Sequence, residues 1–180
     1  MHTGTPIILA ASSTGIPHTL DILRLLDQAF LDDSVKEIRI KLHPHSRLNI
    51  EDCQQVFKGA QPSYFHFVNR PISQLLSDVD LLVYSHRTVC LEALARGVPV
   101  LSVGPETCIE LDTMRWFPEL RRDTASPDEL RREVQVILSM AASVKKNWIR
   151  DAIQVAVSVY APVTPETINA FMTREDNRSE

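Results

Sequence analysis

Residues 78–103 read DVDLLVYSHRTVCLEALARGVPVLSV, and this stretch decides the fold. Its core, Leu81-Leu82-Val83 within Asp80–Tyr84, is a short continuous apolar run of the kind a buried strand carries. Ser85-His86-Arg87 is a polar turn, and Thr88–Arg96 has helical spacing. Gly97 stands where a left-handed residue commonly ends a helix. Val98–Val103 is the next apolar run, and Gly104-Pro105 turns the chain after it. Two strands joined through a helix run parallel, because the return needs a crossover connection.

Outward from this unit the same alternation repeats. Toward the start, Ile7–Ala11 reads as a buried strand that runs into Ser12-Ser13-Thr14-Gly15. From His18 to Leu31, apolar Leu20, Leu23, Leu26 and Phe30 recur at helical spacing opposite Asp21, Arg24 and Asp27. Ile38–Leu42 alternates apolar residues with Arg39 and Lys41, which predicts a half-buried strand, and Pro44 stops it. Ile50–Lys58 predicts a helix, Tyr64–Val68 a third strand, and Ile72–Leu76 a short helix after Pro71. Beyond the central unit, Ser126-Pro127-Asp128-Glu129 is a helix start with Ser as N-cap and Pro in the first turn, and the helix runs to about Met140. A second helix covers Ser143–Tyr160, with Val144, Trp148, Ala152, Val155 and Val159 on one face. Thr164-Pro165-Glu166 starts a last short helix, and the polar end from Arg174 is expected to fray.

Strand and helix in alternation, five times over, specify a Rossmann-like doubly wound parallel sheet in three α/β/α layers. The expected domain organisation is one such domain over residues 1–161, followed by a short helix and polar tail over 162–180. Composition agrees: 44% hydrophobic and 23% charged residues are ordinary for a globular chain. A net charge of −4 with no basic run argues against nucleic acid as partner. Cys53, Cys90 and Cys108 are scattered and odd in number, so neither a disulfide framework nor a zinc site is indicated. No segment has the roughly 18 apolar residues of a membrane span. Met1–Pro6 has no basic region before the apolar run, so a signal peptide is not expected. These features point to a cytoplasmic protein.

Ligands of such sheets bind outside the carboxyl ends of the strands, where the strand order reverses. Three loops there carry candidate chemistry. In the first, Ser12-Ser13-Thr14-Gly15-Ile16-Pro17 offers hydroxyls, a Gly and free N–H groups before a helix, which suits an anion; a plain N-cap turn is the alternative. In the second, His43, His45, Ser46 and Arg47 can donate to phosphate, against the alternative of a solvated polar turn. A metal at His43 and His45 lacks a third ligand nearby. In the third, Ser85, Arg87 and Thr88 can donate to a phosphate, and Glu92 can accept hydrogen bonds from two ribose hydroxyls. Glu92 also fits as a mere favourable charge in the first turn of its helix. A capping box from Thr88 is excluded, since Leu91 stands where the acid belongs. Neither GxGxxG after the first strand nor a GxxxxGK[ST] loop occurs. Leu101-Ser102-Val103-Gly104 is not a nucleophile elbow, because Val100 replaces the required Gly.

Residues 78–103 resemble the "aDvvi…S(S/T)…EAl..G.Pvi" segment of the carboxy-terminal, donor-binding domain of GT-B-fold glycosyltransferases. IRIKLHPHSR, residues 38–47, resembles the Lys-x-His-Pro segment of bacterial surface-polysaccharide transferases, including the capsule, polysialic acid and teichoic-acid polymerase groups. The resemblance covers about residues 6–160. It implies a nucleotide-activated sugar as substrate (UDP-, CDP- or CMP-linked), no separate cofactor and no metal. His43 and His45, Ser85, Arg87 and Thr88, and Ser13, Thr14 and Gly15 would take the donor phosphates, and Glu92 the ribose. His86 and Arg87 depart from the usual Ser-Ser/Thr pair. It implies, too, a partner: an amino-terminal domain that holds the acceptor and often the catalytic base. No catalytic residue is identified in this chain, so the resemblance implies part of an enzyme in surface polysaccharide synthesis, peripheral to the inner membrane if associated with it at all. Rival expectations are a non-catalytic nucleotide-binding or interaction module, and a fragment of a GT-B-like sugar-nucleotide epimerase, which shares the Glu-Ala-Leu-x-x-Gly-x-Pro pattern.

Overall fold

The computed structural model describes residues 6–30, 37–57, 59–85, 88–103, 114, 117–159 and 164–172, without the side chains of 167 and 170–172. Six strands form one parallel sheet: β1 (Ile7–Ala11), β2 (Glu37–Lys41), β3 (Phe65–Phe67), β4 (Leu81–Tyr84), β5 (Val100–Val103) and β6 (Asp123–Thr124). Their spatial order is β3-β2-β1-β4-β5-β6. That order is the one of doubly wound nucleotide-binding sheets, with the reversal between β1 and β4. The helices are α1 (Ile16–Ala29), α2 (Ile50–Gln54), α3 (Ile72–Leu75) with a 3-10 turn after it, α4 (Val89–Ala95), α5 (Pro127–Leu138), α6 (Ala142–Val159) and α7 (Pro165–Met172).

The central strands are apolar on both sides because both faces are covered. Ile8 and Ala10 of β1 and Leu81 and Val83 of β4 pack with Ile22, Leu23 and Leu26 of α1, Cys53 of α2, and Leu130, Val134 and Ile137 of α5. Leu9, Ala11, Leu82 and Tyr84 face the other way, onto Leu75 and Leu76, Cys90, Leu91, Ala93 and Leu94 of α4, and Ala152 and Ala156 of α6. Burying a Leu or Ile side chain is worth about 1.5–3 kcal/mol, so these two apolar layers dominate the stability of the fold.

Local chemistry sets the element ends. Ser126 caps α5, its hydroxyl accepting the Glu129 N–H at 3.3 Å, with Pro127 in the first turn. Asn49 and Asp52 form a reciprocal capping box on α2. Gly97 adopts φ +70° after α4, the left-handed state that costs other residues.

Several expectations shift. β6 was not expected: its two residues are Asp123 and Thr124, with no apolar run to mark them. α1 begins at Ile16, two residues early, because Pro17 has no N–H to lose in the first turn. Along it Ile22 is buried and Leu20 only half-buried. α2 stops at Gln54, short of Lys58, whose own structure is outside the described residues. On α6 the buried face is Ala152 and Ala156, with Trp148 and Val155 at its margin. Val144 and Val159, expected on that face, are 55% and 42% exposed.

Candidate functional site

Four chain segments meet where the strand order reverses, and a cavity of about 400 Å³ lies between them. Ala11 and Ser12 come from the exit of β1, and Lys41, Leu42, His43 and Pro44 from the exit of β2. Pro71 and Ile72 open α3, and Thr88, Val89 and Glu92 form the start of α4. Apolar side chains make most of the wall, and a few polar groups converge on it, as in small-molecule sites.

The exits of β1 and β2 are stitched together. The Ser12 N–H donates to the Lys41 carbonyl at 3.0 Å. The Ser12 hydroxyl, 6% exposed, accepts the His43 N–H at 2.8 Å across 31 residues of sequence. His43 Nδ1 accepts the His45 N–H at 3.1 Å. A nitrogen that accepts carries no proton, so the neutral His43 ring is protonated at Nε2, a donor. The two imidazoles lie 5.5 Å apart, centroid to centroid. Among the described residues no group of three or more His, Cys, Asp or Glu is gathered as metal ligands.

On the opposite wall, Glu92 is one turn into α4, 34% exposed, with Arg96 Nη2 at 3.6 Å from its carboxylate. Thr88 precedes α4 and its side chain makes no capping bond. Ser85, at the end of β4, is 1% exposed, and its hydroxyl has no partner among the described residues. A buried hydroxyl without a partner costs on the order of 1–3 kcal/mol.

Of the candidates from the sequence, His43, Thr88 and Glu92 line the cavity together, and Ser85 lies buried at the β4 exit. His45 is exposed and holds His43 through its backbone. Ser13, Thr14 and Gly15 do not line the cavity. The Ser13 hydroxyl accepts the Gly15 N–H at 3.2 Å, and the Ser13 carbonyl accepts the Thr19 hydroxyl at 3.1 Å. Arg87 lies outside the described residues. Ser12 belongs to the first candidate loop, though it was not singled out for the phosphates, and Lys41, Pro71 and Ile72 were not candidates. Pro71 and Ile72 follow the exit of β3, where the strand-exit rule also applies, whereas Lys41 is the last residue of β2 itself.

Elsewhere, burial and the neighbouring Asp52 push the Cys53 thiol up to about 11. Arg39, forked onto Glu37 at 2.9 and 3.0 Å, holds its proton more tightly than an ordinary arginine, mainly through that hydrogen bond. No helix among the described residues is long and apolar enough to cross a membrane.

No family model and no curated protein sequence matches the chain. Solved structures do. A glycosyltransferase from Rickettsia africae superposes with a TM-score of 0.70 at 10% identity, over 99% of this chain and 49% of that one. A putative UDP-N-acetylglucosamine 2-epimerase from Listeria monocytogenes gives 0.57 at 18% identity, over 81% and 40%. The wall teichoic acid polymerase TagF gives 0.54 at 14% identity, over 88% and 37%. The likeness is one of fold: the chain has the Rossmann-like fold found within GT-B glycosyltransferases. It spans half or less of the length of each of these three structures.

Proposed function

We propose that this chain is the donor-binding domain of a GT-B-type glycosyltransferase, taking a nucleotide-activated sugar in surface polysaccharide synthesis. The observation that carries the reading is the cavity at the β1/β4 reversal, with Ser12, His43, Thr88 and Glu92 on its walls. Its volume, about 400 Å³, suits a nucleotide-sized ligand. Glu92 accepts the ribose hydroxyls. His43, through Nε2–H, and the hydroxyls of Thr88 and Ser85 donate to the phosphates; a phosphate oxygen gives Ser85 the partner it lacks. Donors fixed by the fold stabilise the leaving phosphate as negative charge develops on it. An acceptor-binding domain of the kind that completes GT-B enzymes supplies the base.

The test is a thermal-shift series with UDP, CDP, CMP, GDP and their sugars, repeated on Glu92→Ala and His43→Ala. A ligand at a hundred times its Kd raises the melting temperature by about 5–10 °C. The reading expects one base to do so, with the shift reduced in both variants. No shift with any nucleotide refutes it. The fold shared with the Listeria epimerase favours one second reading, a sugar-nucleotide epimerase domain. In the complete protein, transfer releases free nucleotide, whereas epimerisation interconverts two sugar nucleotides.

A further inference from the structure

Building on the donor-binding reading, we infer that Lys41 is the cation that pairs with the phosphates of the bound nucleotide. Lys41 ends β2 on the same side of the sheet as Arg39, and it lines the cavity with Ser12 and His43. Among the described residues that line the cavity it is the one Lys or Arg, and Glu92 is the one Asp or Glu. A nucleoside diphosphate carries two to three negative charges; neutral donors alone leave that charge uncompensated in a half-enclosed site.

The side chain has a defined resting place next to the cavity. Lys41 Nζ donates to Asn69 Oδ1 at 3.2 Å, and Asn69 sits just past the exit of β3. That bond uses one of the three ammonium donors and leaves two. Nothing in the bond neutralises the ammonium, because the Asn amide is uncharged. The tether holds a full positive charge beside Asn69, which lines an adjoining hollow with Lys41, Leu42 and Phe67 and not the cavity itself, so a bound phosphate draws the ammonium from that hollow to the cavity that Lys41 also lines. Backbone geometry fixes the stem as well: Ala11 pairs with Lys41 in the β1–β2 register, and the Lys41 carbonyl accepts the Ser12 N–H. The cation and the serine that positions His43 thus share one rigid junction. Lys41 and Glu92 belong to opposite walls, β2 and α4, so the ligand's charged and hydroxyl-bearing parts are recognised by groups of opposite sign.

The experiment uses the 180-residue chain and calorimetric titration with UDP, CDP, GDP and CMP, each beside its nucleoside. Variants are Lys41→Met, Lys41→Arg and Asn69→Ala. For the nucleotide that the wild type binds, Lys41→Met is expected to weaken binding about ten- to a hundred-fold, the worth of a charge-assisted contact. Nucleoside affinity is expected to stay within about two-fold. Raising salt should weaken wild-type binding and leave Lys41→Met nearly insensitive, which loss of packing alone would not produce. Lys41→Arg should recover most of the affinity, and Asn69→Ala, which removes only a neutral resting partner, should stay within about three-fold of wild type. Wild-type binding with unchanged affinity in Lys41→Met overturns this inference and leaves the donor-binding reading standing. Equal losses for nucleotide and nucleoside overturn it as well. Absence of any nucleotide binding by a folded wild type overturns both.

Discussion

Replacing Gly97 by Ala tests how α4 is anchored, and the structure sets the magnitude. Two separate penalties apply. The backbone at Gly97 has φ +70°, where a side chain costs about 1–2 kcal/mol. A Cβ built there meets Ile149 Cγ2 of α6 at 2.9 Å and Cγ1 at 3.4 Å. Ile149 is β-branched and seated in the α4–α6 contact, so it yields little; forced overpacking of this kind costs about 1–3 kcal/mol. The sum is about 2–5 kcal/mol, which lowers the melting temperature of a chain this size by about 10 °C. Urea denaturation of Gly97→Ala against wild type measures it. Gly59→Ala is the control: nothing lies within 4 Å of its Cβ position, and the expected change stays within about 0.5 kcal/mol. The double variant separates the two penalties. In an Ile149→Ala background both γ carbons are gone, so Gly97→Ala should cost only the backbone part, about 1–2 kcal/mol. Strictly additive losses, or a single-variant loss under about 1 kcal/mol, would refute the reasoning.

Two further outcomes follow from local chemistry. Ser126→Ala removes the N-cap acceptor of α5 and should cost about 1 kcal/mol in the same urea assay, with Ser126→Asn close to wild type. Cys53 gives a pH dependence. Its folded value of about 11 lies above the ordinary thiol value of 9.0, so the folded state keeps a proton that the unfolded chain releases first. Stability from this group is therefore complete below about pH 9 and falls as the pH rises toward 11. Urea midpoints from pH 8 to 11 should decline more in wild type than in Cys53→Ala, and parallel curves would show that Cys53 contributes nothing.

What the sequence made legible follows from what packing enforces. β1 and β4 are buried on both faces, so their residues must form continuous apolar runs, and such runs are visible without a structure. The α5 start was equally plain, because Ser126 and Pro127 act through purely local geometry. β6 was not, since Asp123 and Thr124 are recruited by the neighbouring edge of β5 and carry no pattern of their own. The face of α6 was half legible: Ala152 stood in the predicted stripe and is buried, but Val144 and Val159 are exposed. At the candidate site, His43, Thr88 and Glu92 stood out in the sequence for their chemistry, and the fold brings the three to one cavity. Ser12 stood in the first candidate loop, but that its hydroxyl holds a backbone N–H of another loop is a relation that only the three-dimensional arrangement reveals.

The cavity draws its walls from four separated stretches, residues 11–12, 41–44, 71–72 and 88–92, each just beyond the carboxyl end of a strand or at the head of the helix that follows. Within these stretches Ala11, Cys90 and Leu91 belong to the buried apolar layers, and the other residues are not core members. Inheritance can therefore act on them one at a time. A substitution or an inserted residue at one exit reshapes one wall, leaves the other three and the sheet beneath as they were, and so exposes ligand preference to gradual change while the scaffold stays constant.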